Sequence, residues 1–308
     1  VQHNFASDGT PDSAPRTTIS CGQLILSAGA MGSTHLMLRN KATLKAELPK
    51  LGSQFCGNGD ILGMAVRTKT VDGKSRLIDP NRGPVITSRV RLPDALDGGN
   101  AKGRGAYIED AGFPAFLSWV TESYASVTKL ERIFGFWWRI IKGKLSKSGD
   151  TDLSAEIAAL LGGNDLTMSA LPMLGMGRDL PDGKLLLNDK AQLESTWSAE
   201  TSLAYFDRVR DHMKILAREM GGRFVENPIW LFKRLITVHA LGGCPMGRHK
   251  DEGVVDDHGE VFGTPGLFVA DGSVMPGPVG PNPSLTIAAL ANRFADRVIE
   301  NHKKGAVT

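Results

Sequence analysis

Gly266-Leu267-Phe268-Val269-Ala270-Asp271-Gly272-Ser273, running on through VMPGPVGPNPSLTIAALANRFADRVIE to Glu300, decides the reading of this chain. A short apolar run breaks at Asp-Gly-Ser and crosses a loop of glycine and proline. It then enters a segment whose apolar residues, among them Leu285, Ile287, Leu290, Phe294 and Val298, recur at near-helical spacing. The pattern predicts strand, glycine-rich turn and helix. Pro283 suits a first helical turn, where its missing N–H has no partner to lose. Such a helix start offers free backbone N–H groups and the positive end of a dipole to an anionic or electron-rich ligand.

A second unit of the same kind lies near the beginning. Leu24, Ile25, Leu26 and Ala28 form an apolar run that ends at Gly29-Ala30-Met31-Gly32, and STHLMLRNK follows. A continuous apolar run bounded by glycines predicts a strand buried on both faces of a parallel sheet. The residues after it predict a helix with Ser33 as its cap. Between the two units the patterning is different. Ile61 to Val66, RGPVITSRVRL and GRGAYIEDAG are short β-rich stretches separated by turn residues, which predicts an antiparallel sheet inserted between the two halves of the first domain. A long helix is expected from Ser198 or Thr201 to the stop at Gly221-Gly222. No GxGxxG follows a strand. Gly175-Met176-Gly177 runs into Asp, Pro and Gly instead of a helix.

Composition narrows the classes. The chain has 308 residues, 41% hydrophobic and 22% charged, with a formal net charge of +3, which describes a globular protein and gives no argument for nucleic acid. Cys21, Cys56 and Cys244 are odd in number and far apart, so a disulfide framework is not expected and a reducing, cytoplasmic compartment is the default. No apolar run has the length of a membrane span, and Val1 to Arg16 has no signal-peptide character.

VHALGGCPMG (residues 238–247), followed by the stretch quoted first, resembles the C-terminal signature of the glucose-methanol-choline (GMC) flavoprotein oxidoreductases, and within them the cholesterol oxidase-like branch. The SAGAMGS segment is similar to a family segment passing close to the flavin nucleotide. The resemblance implies an α/β and α+β architecture: an incomplete Rossmann-like FAD-binding domain (1–57 and 235–308) holding a substrate domain (58–234) built on the antiparallel sheet. In the family a dinucleotide fingerprint stands upstream of the SAGA segment, so the chain is expected to be roughly the C-terminal half of an enzyme.

The implied cofactor is FAD, bordered by Gly29, Asp271, Gly272, Asn282, Pro283 and Thr286. The implied substrate is a small-molecule alcohol, sterol or otherwise bulky and apolar, with O2 or a quinone as acceptor. Alcohol oxidation requires removal of the hydroxyl proton, and an imidazole that titrates near neutrality is suited to it. The resemblance gives that role to His239, with Asn282 as the second polar group. Asn58, in Gly57-Asn58-Gly59-Asp60, is similar to a residue of the active-site wall, although a turn needing Asn and Gly for positive φ reads equally well. Sterol oxidases carry a glutamate shortly after a Pro-Ala pair. Pro114-Ala115 has no acid there, and Glu109 and Asp110 upstream are the nearest, so oxidation is expected in preference to isomerisation.

Three other readings compete. His239, Cys244, His249 and His258 lack the paired spacing of a metal site, and Cys244 is expected to pack as a small apolar residue. Residues 133–147, with Trp137, Trp138 and flanking lysines, suit either peripheral membrane contact or a helix packed on the core. A truncated, inactive fragment or apolar-ligand module is the alternative to an enzyme.

Overall fold

The computed structural model describes residues 18–44, 46–78, 83–97, 103–112, 169–227, 229–230 and 233–305. Residues 113–168 lie outside these, and with them the Pro114-Ala115 segment and the expected membrane-contacting stretch 133–147.

Two strand-turn-helix units form as the patterning predicts. β1 (Leu24–Leu26) leads into α1 (Gly29–Arg39), and β9 (Leu267–Val269) leads through a loop into α3 (Ser284–Gly305). β1 and β9 pair in parallel, Leu24 opposite Leu267 and Leu26 opposite Val269. Two expectations fail in detail. β1 is not buried on both faces: Leu24 and Ile25 are about half exposed, because the parallel sheet has two strands among the described residues and leaves a face and an edge open. Ser33 is not the cap of α1. The helix begins at Gly29, a turn earlier, and Ser33 lies inside it, where its hydroxyl accepts from the Ala28 N–H at 3.0 Å and donates to Asp271.

The inserted region is an antiparallel five-stranded sheet in the order β3-β4-β5-β2-β8: β3 (Arg89–Leu92), β4 (Ala106–Asp110), β5 (Leu171–Gly177), β2 (Ile61–Val66) and β8 (Arg223–Glu226). β6 (Leu185–Leu187) and β7 (Leu193–Ser195) make a separate hairpin. The long helix α2 (Leu203–Glu219) lays Phe206, Val209, Met213 and Ala217, all on one face, onto Ile61, Ala65, Ile108 and Met173 of the sheet. Burying a side chain such as Phe206 or Met213 contributes about 1.5–3 kcal/mol.

Gly175-Met176-Gly177 sits inside β5 and serves this packing. A Cβ on Gly175 would fall 2.6 Å from Val209 Cγ1, so glycine lets the helix approach. A second core joins Met37 of α1, Val269 of β9 and Phe294 of α3 with Leu48, Val254, Val255 and Val261. A third, small cluster of Cys56, Leu241 and Met275, with Ile287 and Leu290 against it, lies beneath the site.

Candidate active site

The centre of the site is the turn Gly57-Asn58-Gly59-Asp60, which enters β2. Asn58 and Gly59 both adopt the left-handed region, φ +52° and +68°, so the tight reversal needs the residue types found there. Gly59 is required a second time: a Cβ would lie 2.4 Å from Tyr205 Oη and 2.8 Å from Gly177 N. Just before the turn, Cys56 exchanges backbone hydrogen bonds with Leu241, which brings the His239 segment alongside.

The turn then holds that segment. Asp60 is fully buried, and its Oδ2 accepts from Val238 N (2.8 Å), His239 N (3.1 Å) and Thr237 Oγ1 (3.0 Å). Its other oxygen lies 2.8 Å from His239 Nδ1. A carboxylate is an acceptor only, so Nδ1 carries a proton toward it, and in the neutral ring Nε2 is the nitrogen with the lone pair. The imidazole is fixed in ring orientation and in tautomer, while 15% of the side chain remains accessible.

Asn58 holds the other expected catalytic residue's loop. The Asn58 carboxamide is fully buried; Nδ2 donates to Pro281 O at 3.0 Å and Oδ1 accepts from Gly280 N at 2.8 Å. This fixes the two residues before Asn282. Asn282 Nδ2 donates to Oε2 of the buried Glu109 at 3.2 Å, and Asn282 Oδ1 is buried without a partner among the described residues. A buried carbonyl oxygen left unpaired costs about 1–3 kcal/mol, so this acceptor is able to take a donor from a bound group.

The remaining expected residues lie at the start of α1, in the turn after β9 and at the start of α3. Asp271 joins the first two: Oδ2 accepts from Gly29 N at 3.0 Å and from Ser33 Oγ, and Oδ1 accepts from Ser273 N at 2.8 Å and Ser273 Oγ at 2.6 Å. Both carboxylate oxygens are thus spent on the protein, and Asp271 acts as a clamp between the two turns. Gly272 opens the buried turn Gly272–Val274, and the LGGCPM strip zips onto it through Gly242 N to Gly272 O, Cys244 N to Ser273 O and Met246 N to Val274 O. Pro283 is buried and accepts from Ile287 N at 2.9 Å, while Thr286 is exposed on the first turn of α3, which holds no acidic residue.

The four residues of the metal alternative have separate partners. His239 is on Asp60, His249 beside Glu252, His258 on Asp257, and Cys244 lies 3.7 Å from Thr34 Oγ1. Burial pushes the Cys244 thiol up to about 12, so it packs as an apolar group.

Sequence reading placed His239, Asn282, Asn58 and Glu109 but gave no role to Asp60 or Asp179. Asp60 was visible as the last residue of the turn, yet its partner is far away in sequence. Asp179 is fully buried and takes Gly57 N at 3.0 Å, Gly59 N at 2.9 Å and Trp197 Nε1 at 3.0 Å.

Residues 227–291 match the GMC oxidoreductase family model. The chain carries a GMC oxidoreductase C-terminal domain. The chain is 42% identical over 72 residues to a cholesterol oxidase of Acinetobacter baumannii, covering 23% of this chain and 13% of that one. It is 34% identical over 82 residues to the long-chain-alcohol oxidase FAO4B of Arabidopsis thaliana, covering 27% and 11%. Beyond the GMC domain the likeness is one of fold. A formate oxidase of Aspergillus oryzae, studied for its FAD modification, superposes with a TM-score of 0.50 at 17% identity, over 97% of this chain and 57% of that one. The chain therefore spans only part of the length of the relatives it matches.

Proposed function

We propose that the protein of which this chain is a part is an FAD-dependent oxidase or dehydrogenase of a bulky apolar alcohol, sterol or long-chain. The observation that carries the reading is His239: an imidazole with Nδ1 committed to a buried carboxylate and Nε2 free to accept a proton. A hydroxyl bound at Nε2 loses its proton to that nitrogen as the carbon gives up hydride, a contribution of about 10²–10⁴-fold. The Asn282 Oδ1 acceptor supplies a second hold on a donor group, and Glu109 fixes the orientation of that carboxamide.

The residues fit a flavin in three respects. The first turn of α3 carries no acid of its own, the nearby Glu109 carboxylate being tied to Asn282 Nδ2; Asn282 Oδ1 awaits a donor; and two apolar side chains, Val238 beside His239 and Leu285 three residues past Asn282, are largely exposed. Gly29, Gly272, Asn282, Pro283 and Thr286 would border it, in a Rossmann-like domain formed by 1–57 and 235–308 with the substrate domain between. When bound, the flavin supplies the hydride acceptor. Two named relatives support this choice of substrate class, a cholesterol oxidase and a long-chain-alcohol oxidase.

The test is to purify the full-length protein, record its flavin spectrum, and add cholesterol or a long-chain alcohol without oxygen. Bleaching of the flavin absorbance by either alcohol supports the reading. A protein that binds FAD and is bleached by neither contradicts it.

A further inference from the structure

One buried group remains that neither alcohol chemistry nor a sheet requires. Asp179 lies two residues past the end of β5 and is 0% exposed. Its two oxygens straddle the turn that carries the site: Oδ2 takes the N–H of Gly57, Oδ1 the N–H of Gly59, and Oδ2 also takes the indole N–H of Trp197. Consecutive left-handed residues at Asn58 and Gly59 accompany alternate N–H groups turned to one side, and the carboxylate fills the concavity they form. The indole that completes this set of donors stands against Gly57 itself, where a Cβ would lie 2.4 Å from the ring.

Neighbouring bonds make the turn rigid. Tyr205 Oη donates to Gly59 O at 3.0 Å, and Gly177 N donates to Asn58 O at 2.8 Å. Arg104 Nη1 in turn donates to the Asp179 backbone carbonyl at 2.8 Å. Both functional side chains depend on what this turn does with its other groups, Asp60 gripping Thr237 to His239 and Asn58 gripping Gly280 and Pro281.

We infer that Asp179 is the positioning residue of the site: by holding the Gly57 and Gly59 N–H groups it sets where Asp60 and Asn58 stand, and through them the His239 imidazole and the Asn282 loop. It touches neither substrate nor cofactor. The inference rests on the reading of His239 as the base, but it has a readout of its own, the imidazole tautomer. Asp179→Asn keeps the shape while turning an NH2 group against one of the donors, so the turn shifts and the Asp60–His239 bond loosens.

The experiment uses the full-length flavin-loaded protein with its histidine ring nitrogens labelled. Expected for Asp179→Asn is a move of the His239 nitrogen shifts away from the pure Nδ1–H tautomer. A fall of about tenfold or more in kcat/KM is expected with it, at equal flavin content. Combining it with Asp60→Asn is expected to lose less than the product of the two single losses, since the Asp60–His239 bond is shared by both while the Asn58 path to Gly280 and Pro281 is not.

A variant that melts lower yet keeps the parent tautomer and the parent rate per bound flavin overturns the inference, because Asp179 then supports only the fold. Should Asp179→Asn fail to fold, Trp197→Phe removes one of the three donors and is decided by the same two readings. If His239→Gln oxidises alcohol as fast as the parent, the base assignment falls while the nitrogen shifts still report on Asp179.

Discussion

The fully buried carboxylate of Asp60 stands 2.8 Å from Nδ1 of His239 and also accepts the His239 backbone N–H. One side chain therefore fixes the position, the ring orientation and the tautomer of another. A histidine held this way is prepared to accept a proton at Nε2 before any substrate arrives, and no reorganisation is needed during the reaction.

Asp60→Asn tests that relationship most directly. With its oxygen occupied by the backbone N–H groups of 238 and 239, the new amide turns its NH2 toward the ring, and Nδ1 must become the acceptor. The proton moves to Nε2, where the substrate hydroxyl needs a lone pair. Alcohol oxidation is expected to fall about 10²-fold or more, with flavin content unchanged by absorbance.

Glu109 and Asn282 are expected to respond unequally. Glu109→Gln keeps an acceptor for Asn282 Nδ2 and loses only the charge, about 1 kcal/mol or roughly fivefold in kcat/KM. Asn282→Leu removes the orphaned Oδ1 acceptor and leaves the buried Glu109 carboxylate without its donor, so the loss is expected to exceed tenfold. Steady-state rates of the two variants, side by side, decide it. Equal losses would contradict an orienting role for the carboxamide.

Asp271→Ala removes the clamp between the start of α1 and the turn after β9 and strands the N–H groups of Gly29 and Ser273 together with two hydroxyls. The expected effect is a loss of about 2–4 kcal/mol in stability and of flavin retention. The ratio of flavin to protein after gel filtration measures the second, and full retention would speak against these turns bordering the cofactor.

Gly59→Ala introduces a Cβ at φ +68° that meets Tyr205 Oη and Gly177 N. Left-handed strain of about 1–2 kcal/mol adds to the clash, so the unfolding midpoint is expected to drop by several degrees or more. Gly73, also at positive φ but with open space around its Cβ, is the control and loses only the strain.

Asp179 makes stability depend on pH in an unusual direction. Burial raises its carboxyl from 3.8 to about 6, against the pull of its N–H donors. Between these values the folded chain holds a proton that the unfolded chain has released. This group's contribution is therefore complete below about pH 4 and declines as pH rises to about 6, by roughly 3 kcal/mol, then levels off. Denaturant unfolding from pH 4 to 7 is expected to show the parent losing stability relative to Asp179→Asn over that window and running parallel to it above. A difference that grows above pH 6 would contradict it.

The elements were largely legible because local pattern sets them. The run at Leu24–Leu26, the stretch Ile61–Val66, the helix stopped at Gly221-Gly222 and the turn entering α3 are each written in apolar period and glycine placement. β8 escaped, because Arg223-Phe224-Val225-Glu226 is too short to show a period and becomes a strand only by pairing with β2. The exposure of β1 escaped too, since an apolar run reports what a strand can bury and not what covers it.

His239, Asn282 and Asn58 could be nominated from their resemblance to the family's segments, and Glu109 as one of the two acids just upstream of the Pro114-Ala115 pair. What the sequence by itself determined, then, was a set of strand-turn-helix units and a short list of polar side chains as site candidates. The tertiary structure alone decided that Asp60 would orient His239, that Glu109 would hold Asn282, and that Asp179 would brace the turn between them. Periodicity is a property of neighbours a few residues apart, whereas a buried carboxylate takes whichever donors the packed sheet brings to it, here from positions more than a hundred residues away.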